Sequence, residues 1–224
     1  MLGAGAVGTV SALKFVQEVT LEQLVIADAV SARASHLAVR LKDPRVSSLQ
    51  LNAGDRAQVA RTIREIGATI VLNAALPATN LDVMRACLEA GCHYIDLASG
   101  GSDDDGIPKL EDQFQLDADF KAAGRIALLG MGADPGTTNV YAAYARKHLL
   151  DTVTELRIRD GDNSVCQGHI GFVAAFSPWV FIDECLCKAV SFRDGRYQLE
   201  DPLTGFEPFD FPELGVLNCY YVDH

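Results

Sequence analysis

Compact apolar runs alternate with helical segments through the first part of the chain, and this alternation restricts the fold more than any other feature. Leu24-Val25-Ile26-Ala27-Asp28, Ala68-Thr69-Ile70-Val71-Leu72-Asn73, His93-Tyr94-Ile95-Asp96-Leu97 and Ile126-Ala127-Leu128-Leu129 read as strands buried on both faces. Ser48-Leu49-Gln50-Leu51 is a weaker strand. Helical spacing fills the intervals: Val10, Leu13, Phe15 and Val16; then Ala29 to Leu41; Arg56 to Ile66; Leu81 to Ala90, ended by Gly91; and Asp112 to Ala123. Strands and helices in this rhythm imply a parallel sheet with right-handed crossovers and helices on both faces. Ligands in such sheets lie beyond the carboxyl ends of the strands.

Past Gly136 the rhythm changes. A helix over Thr138 to Leu149 leads into Thr154 to Arg159, whose alternation predicts an antiparallel strand. Short strand-like pieces follow from Phe192, with a turn at Asp194-Gly195. The expected architecture is therefore α/β: a Rossmann-like, doubly wound parallel sheet over residues 1–135, with the beginning of a second, α+β domain over residues 136–224. Only the last residues of the first strand precede the opening glycines, so that strand reads as cut short.

Those glycines, Gly3, Gly5 and Gly8, sit between the strand remnant and the first helix. Gly3 permits a tight turn, Gly5 lets the backbone approach a pyrophosphate, and Gly8 lets helix and strand pack closely; Ala6 and Val7 open the helix between them. The helix amino end offers N–H groups and a positive dipole to an anion. Asp28 ends the next strand twenty residues after Gly8, where a carboxylate can accept from adenosine ribose hydroxyls. It favours NAD over NADP by repelling a 2′-phosphate, whereas Arg33 could pair with that phosphate and admit NADP. Asn73, Ala74 and Pro77, at the end of a central strand, are small enough to let the dinucleotide run along the sheet edge, or form an ordinary strand exit.

Asp96 and Asp134 both follow buried runs and are candidates for catalysis or for capping nearby backbone donors. His169 is a further candidate acid or base, or a surface histidine. Cys185 and Cys187 read as buried thiols on a helix, and Asp103 to Asp105 as a solvated loop; neither group has metal-site spacing.

Composition narrows the function classes. Apolar residues make up 49% and charged residues 22%, the balance of a folded globular chain. The net charge of -11 disfavours a nucleic-acid partner, which would need clustered Lys and Arg. No apolar run approaches the roughly 20 residues of a membrane span. Six cysteines without zinc spacing or a signal peptide read as free thiols in a reducing cytoplasm.

The opening glycines, the strand His93 to Leu97, the loop Gly132-Ala133-Asp134-Pro135-Gly136-Thr137-Thr138-Asn139 and the pair Phe176-Ser177-Pro178-Trp179 and Phe192-Arg193-Asp194-Gly195 together resemble saccharopine dehydrogenases and the related carboxynorspermidine and lysine dehydrogenases. The resemblance implies an NAD(P)-dependent oxidoreductase acting on the CH–NH group of an amino-acid-derived amine in lysine or polyamine metabolism. It implies a pyrophosphate on Gly3 to Gly8, a ribose on Asp28, and a nicotinamide near Asn73 to Pro77. It also implies an amino-acid-like substrate on Asp134, Gly136, Thr137, Asn139, Ser177 and Trp179, and a cytoplasmic homodimer. Relatives continue beyond the equivalent of His224, so the chain reads as a fragment; a catalytically inactive dinucleotide-binding fragment or assembly module is the alternative.

Overall fold

The computed structural model describes residues 1–18, 20–101, 106–164, 167–168 and 176–223. His169, Asp103 to Asp105 and Cys166 lie outside the described residues. Two compact units form, one from Met1–Ser99 and Leu110–Met131, the other from Gly100–Lys109 and Gly132–His224.

The first unit is a parallel sheet. Strand β1 (Leu24–Asp28) pairs with β2 (Val46–Gln50), and β3 (Ile70–Asn73) pairs with β4 (His93–Asp96), which pairs with β5 (Ala127–Leu128). Between β1 and β3 the chain start fills the central position. Leu2 bridges to both Ala27 and Asn73, and its N–H donates to the Leu72 carbonyl at 2.8 Å while its own carbonyl accepts from Ala74 at 2.8 Å. The spatial order is thus β2, β1, Met1–Gly3, β3, β4, β5, a doubly wound arrangement in which the opening segment is hydrogen-bonded on both sides. Backbone hydrogen bonds of Met1, Leu2 and Gly3 join the halves of the sheet.

Alternation within the strands sends side chains to two cores. Leu24 and Ile26 pack with Ala12 of α1 (Ala6–Phe15) and with Ala34 and Leu37 of α2 (Ser31–Leu41). Leu2, Ala27, Val71 and Tyr94 pack with α3 (Arg56–Ile66) and α4 (Asn80–Ala90) on the other face. Helix α4 ends at Gly91, as expected, and α3 ends at Gly67; both glycines are left-handed, at φ 69° and 65°, a conformation glycine adopts without Cβ strain. The single helix expected over Asp112 to Ala123 is instead two short ones, α5 (Leu110–Phe114) and α6 (Asp117–Ala122). A break at Leu116 allows both Gln113 and Phe120 to be buried.

The second unit holds α7 (Thr137–His148), α8 (Pro178–Leu186) and two antiparallel hairpins, β6 (Ala189–Arg193) with β7 (Arg196–Glu200) and β8 (Glu207–Phe211) with β9 (Gly215–Cys219). The first hairpin turns at Asp194 and Gly195, both at positive φ (53° and 76°), which matches the right-handed twist of the flanking strands. The strand expected at Thr154 to Arg159 is absent: the segment is irregular. Side chains hold it instead. Arg159 donates to both carboxylate oxygens of Glu207 at 2.8 and 3.0 Å and stacks on the Phe209 ring at 4.5 Å. Cys185 and Cys187 are not the buried helical pair expected; Cys185 is half-buried on α8, and Cys187 is exposed just past its end.

Candidate functional site

The carboxyl edge of the sheet gathers the glycine loop, the end of β1 and the end of β3. Gly3 has a φ of 92°, and a Cβ there would collide with the Ala74 carbonyl oxygen. A Cβ on Gly8 would strike the Gly3 carbonyl oxygen and would lie 3.7 Å from the Ala74 Cβ. Backbone packing therefore requires both glycines: Gly3 against the turn that follows β3, and Gly8 against Gly3. Gly5 differs: nothing lies within 4 Å of the Cβ it lacks, and Gly5, Ala6 and Val7 are exposed. No side chain caps α1, so its first N–H groups face an open space of the kind an anion fills. The cradle fits a dinucleotide pyrophosphate on geometric grounds, because a tight turn, an open backbone and a helix amino end converge there.

Asp28 is bound into the same loop. Its Oδ2 accepts from the Ala4 N–H at 2.9 Å and its Oδ1 from Val30 at 2.8 Å. The carboxylate therefore shapes the glycine turn as well as standing where a ribose would be read. Arg33 is exposed in the first turn of α2, five residues on.

Asn73 ends β3 but is only 2% exposed, so its carboxamide serves the interior. Its Oδ1 accepts from the Ala75 N–H at 3.2 Å, and its Nδ2 donates to Asn80 Oδ1 at 2.9 Å and Thr79 Oγ1 at 3.1 Å. Ala74 packs against Gly3 and Gly8 as described, and half-buried Pro77 opens a short 3₁₀ turn, Pro77–Thr79.

Asp96 is 1% exposed and receives three donors: Gly130 N–H on Oδ1 at 2.6 Å, and Gln113 Nε2 at 2.7 Å and Tyr94 O–H at 2.9 Å on Oδ2. Burial raises its pKa, opposed by these hydrogen bonds from Gly130, Gln113 and Tyr94. Such a carboxyl holds structure in place and is closed to substrate. Gln113, Asn80 and Tyr94, its direct or indirect partners, are not singled out by the sequence. One signal is available there: period-2 alternation along β4 puts Asp96 on the buried face with Tyr94.

In the second unit, Asp134 precedes a cis proline and its Oδ1 accepts from Thr138 Oγ1 at 2.9 Å. Asn139 Oδ1 accepts from the Gly136 N–H at 2.8 Å, closing the turn that starts α7, and Thr137 is exposed beside it. Ser177 is the residue before α8, and Trp179, in the helix's first turn, is 72% exposed. Asp134, Gly136, Thr137 and Asn139 thus share one loop, while Ser177 and Trp179 share another. Among the described residues no group of three His, Cys, Asp or Glu side chains could hold a metal ion, and no helix is long and apolar enough to cross a membrane.

Comparison with known proteins gives these features a family. Residues 1–128 match the family described as the saccharopine dehydrogenase NADP binding domain. The whole chain aligns at 34% identity with carboxyaminopropylagmatine dehydrogenase of Synechocystis sp., and at 30% with carboxynorspermidine synthase of Vibrio cholerae. In each case it spans 56% of the relative, about half its length. The fold is shared with the apo saccharopine dehydrogenase (L-Glu forming) of Saccharomyces cerevisiae, with a TM-score of 0.68 at 15% identity over 99% of this chain and 48% of that one. The chain belongs to the saccharopine dehydrogenase family, and its first unit carries that family's nicotinamide dinucleotide-binding domain.

Proposed function

We propose that this chain forms the cofactor-binding part, and the start of the substrate domain, of an NADP-preferring oxidoreductase that acts on the carbon–nitrogen bond of a carboxyalkyl polyamine. The observation that carries the proposal is the open backbone at Gly5, set between two glycines that packing requires and beside Asp28. The family's description as NADP binding supports the cofactor, and the names of the two relatives support the substrate class.

Gly3 to Gly8 would hold the pyrophosphate, Asp28 and Arg33 the adenosine end, and the backbone of Ala74 to Pro77 the nicotinamide end. Asp28 already accepts two backbone N–H groups, which offset part of its charge, and the Arg33 guanidinium supplies the cation that a 2′-phosphate pairs with. When bound, the nicotinamide supplies or removes the hydride exchanged at the amine-bearing carbon. Asp134 is half-buried and carries a carboxylate suited to a cationic nitrogen, and the exposed face of Trp179 can hold another cation. Thr137, Asn139 and Ser177 would orient the substrate carboxylate. Val140, Tyr141 and Tyr144, at 61%, 69% and 57% exposure on α7, are the residues offered for a homodimer interface.

The test follows nicotinamide absorbance in the protein with a polyamine amine, a carboxylated aldehyde and each cofactor. Turnover with NADPH is expected; dinucleotide binding without turnover on any amine would favour a non-catalytic module. Arg33→Ala is expected to weaken NADPH binding about tenfold, ~1.4 kcal/mol, with NADH affinity unchanged. Equal losses for both cofactors in calorimetry would remove Arg33 from phosphate recognition.

A further inference from the structure

The four buried polar side chains among the described residues, Asn73, Asn80, Asp96 and Gln113, are 2%, 4%, 1% and 3% exposed, and all belong to one connected chain of hydrogen bonds. The bonds also run in one direction. Ala75 N–H donates to Asn73 Oδ1 at 3.2 Å, Asn73 Nδ2 to Asn80 Oδ1 at 2.9 Å, Asn80 Nδ2 to Gln113 Oε1 at 3.5 Å, and Gln113 Nε2 to Asp96 Oδ2 at 2.7 Å. Each carboxamide donates to the next member of the series on the side of the carboxylate. The orientation is pinned at intermediate points as well, because Asn80 Nδ2 also donates to the Ala98 carbonyl at 2.8 Å.

We infer that Asp96 is a positioning residue whose carboxylate orients three carboxamides in series, and thereby sets the Ala74–Ala75 turn against the glycine loop. A head-to-tail chain of amides in a buried setting has its dipoles aligned by a charge at one end, and each bond strengthens the next. The receiving end is the turn on which Gly3 closes, since the Ala74 carbonyl and the Ala75 nitrogen fill the space that a Cβ on Gly3 would enter, and Gly3 in turn fills the space of a Cβ on Gly8. The other carboxylate oxygen holds Gly130 N–H, and the Asp96 carbonyl accepts from Met131 N–H at 2.9 Å, so the same residue also fixes the last residues of the first unit. No atom of Asp96 reaches the open face at Gly5; its effect on cofactor binding passes through Gln113, Asn80 and Asn73.

The physical contrast lies in what an amide at position 96 would do. In Asp96→Asn the new carboxamide could still accept from Gly130 through its oxygen, but its NH₂ would then meet the Gln113 Nε2 donor. Gln113 would have to turn over, which presents a donor to Asn80 Nδ2, and Asn80 is held by the Ala98 carbonyl. Mismatch therefore travels to Asn73 and the Ala75 N–H.

This inference rests on dinucleotide binding at the glycine loop, and the experiment separates the two. NADPH affinity is measured by calorimetry for the protein, Asp96→Asn, Asn73→Ala and the double variant. Each single change is expected to weaken binding about tenfold, and the double variant about tenfold as well, because both break one series. Additive losses, near a hundredfold in the double variant, would show independent structural effects and overturn the relay. Should Asp96→Asn not fold, Gln113→Met, which interrupts the series with a side chain of similar length, takes its place in the same cycle. In NMR spectra, NADPH is expected to shift the Gly130 amide of the protein, and that shift is expected to vanish in Gln113→Met. A shift retained there would contradict the relay even with NADPH bound. No NADPH binding to the unaltered protein would instead overturn the cofactor reading itself.

Discussion

Gly8→Val is expected to leave too little stability for a folded first unit at ordinary temperatures. The Cβ falls on the Gly3 carbonyl oxygen, a backbone atom that cannot rotate away. Gly3 in turn is held by its N–H to the Ala27 carbonyl at 2.8 Å and by the packing of Ala74. Moving it would pull Met1–Gly3 out of the centre of the sheet, where the two halves join. Native domains are stable by only ~5–15 kcal/mol, and backbone overlaps of this kind cost on the order of 4 kcal/mol or more. Thermal unfolding followed by circular dichroism checks this; a melting curve within a few degrees of the parent would show that the glycine turn is not packed as described.

Gly5→Asp is expected to do the opposite to the fold and to abolish cofactor binding. The position is open, and its backbone, at φ -77°, is one that any L-residue adopts. Gly5 is the residue before α1, and no side chain caps that helix. An aspartate there accepts from the free N–H groups of the first turn and favours the helix dipole, so stability should hold or rise by about 1 kcal/mol. The same carboxylate occupies the anion cradle and repels a pyrophosphate. Loss of NADPH affinity by about a hundredfold or more, at least ~2.7 kcal/mol, is expected in calorimetry. The opposed signs of the two effects separate a ligand site from a structural turn: intact affinity in a folded variant would mean that the loop does not meet the phosphates.

Much of the first unit was legible in the sequence because its central strands are apolar runs and α4 ends at a glycine. Leu24 to Asp28 and Ile70 to Asn73 are apolar runs too short for helices, and Gly91 marks a helix end by a conformation other residues avoid. Thr154 to Arg159 shows the limit of that reading. Alternation records that two sides of a segment meet different surroundings; it does not supply a partner strand. Here Glu207 and Phe209 satisfy Arg159 through its side chain, and a backbone ladder is not formed.

The site divides in the same way. The glycine spacing and Asp28 could be read locally, because a turn and the strand beside it are set by neighbouring residues. Even so, one of the two partners of Asp28 is the Ala4 N–H of the glycine loop itself, a contact across 24 positions. Asp96 could be placed on a buried face from its spacing to Tyr94, but Gln113 stands seventeen residues away on a separate short helix. Nothing in a single sequence marks a glutamine as the partner of a particular buried aspartate. In the loop from Asp134 to Asn139, the structure shows internal bonds that the sequence did not predict: Thr138 to Asp134 and Gly136 to Asn139.

The most direct measurement is the amide NMR spectrum of the protein titrated with NADPH. The N–H resonances of Gly5, Ala6 and Val7 are expected to move downfield together with saturation, as first-turn donors meet phosphate oxygens, and to stay in place when Gly5→Asp is titrated. Saturable NADPH binding that leaves those three amides unshifted would place the diphosphate elsewhere and contradict the assignment of this loop.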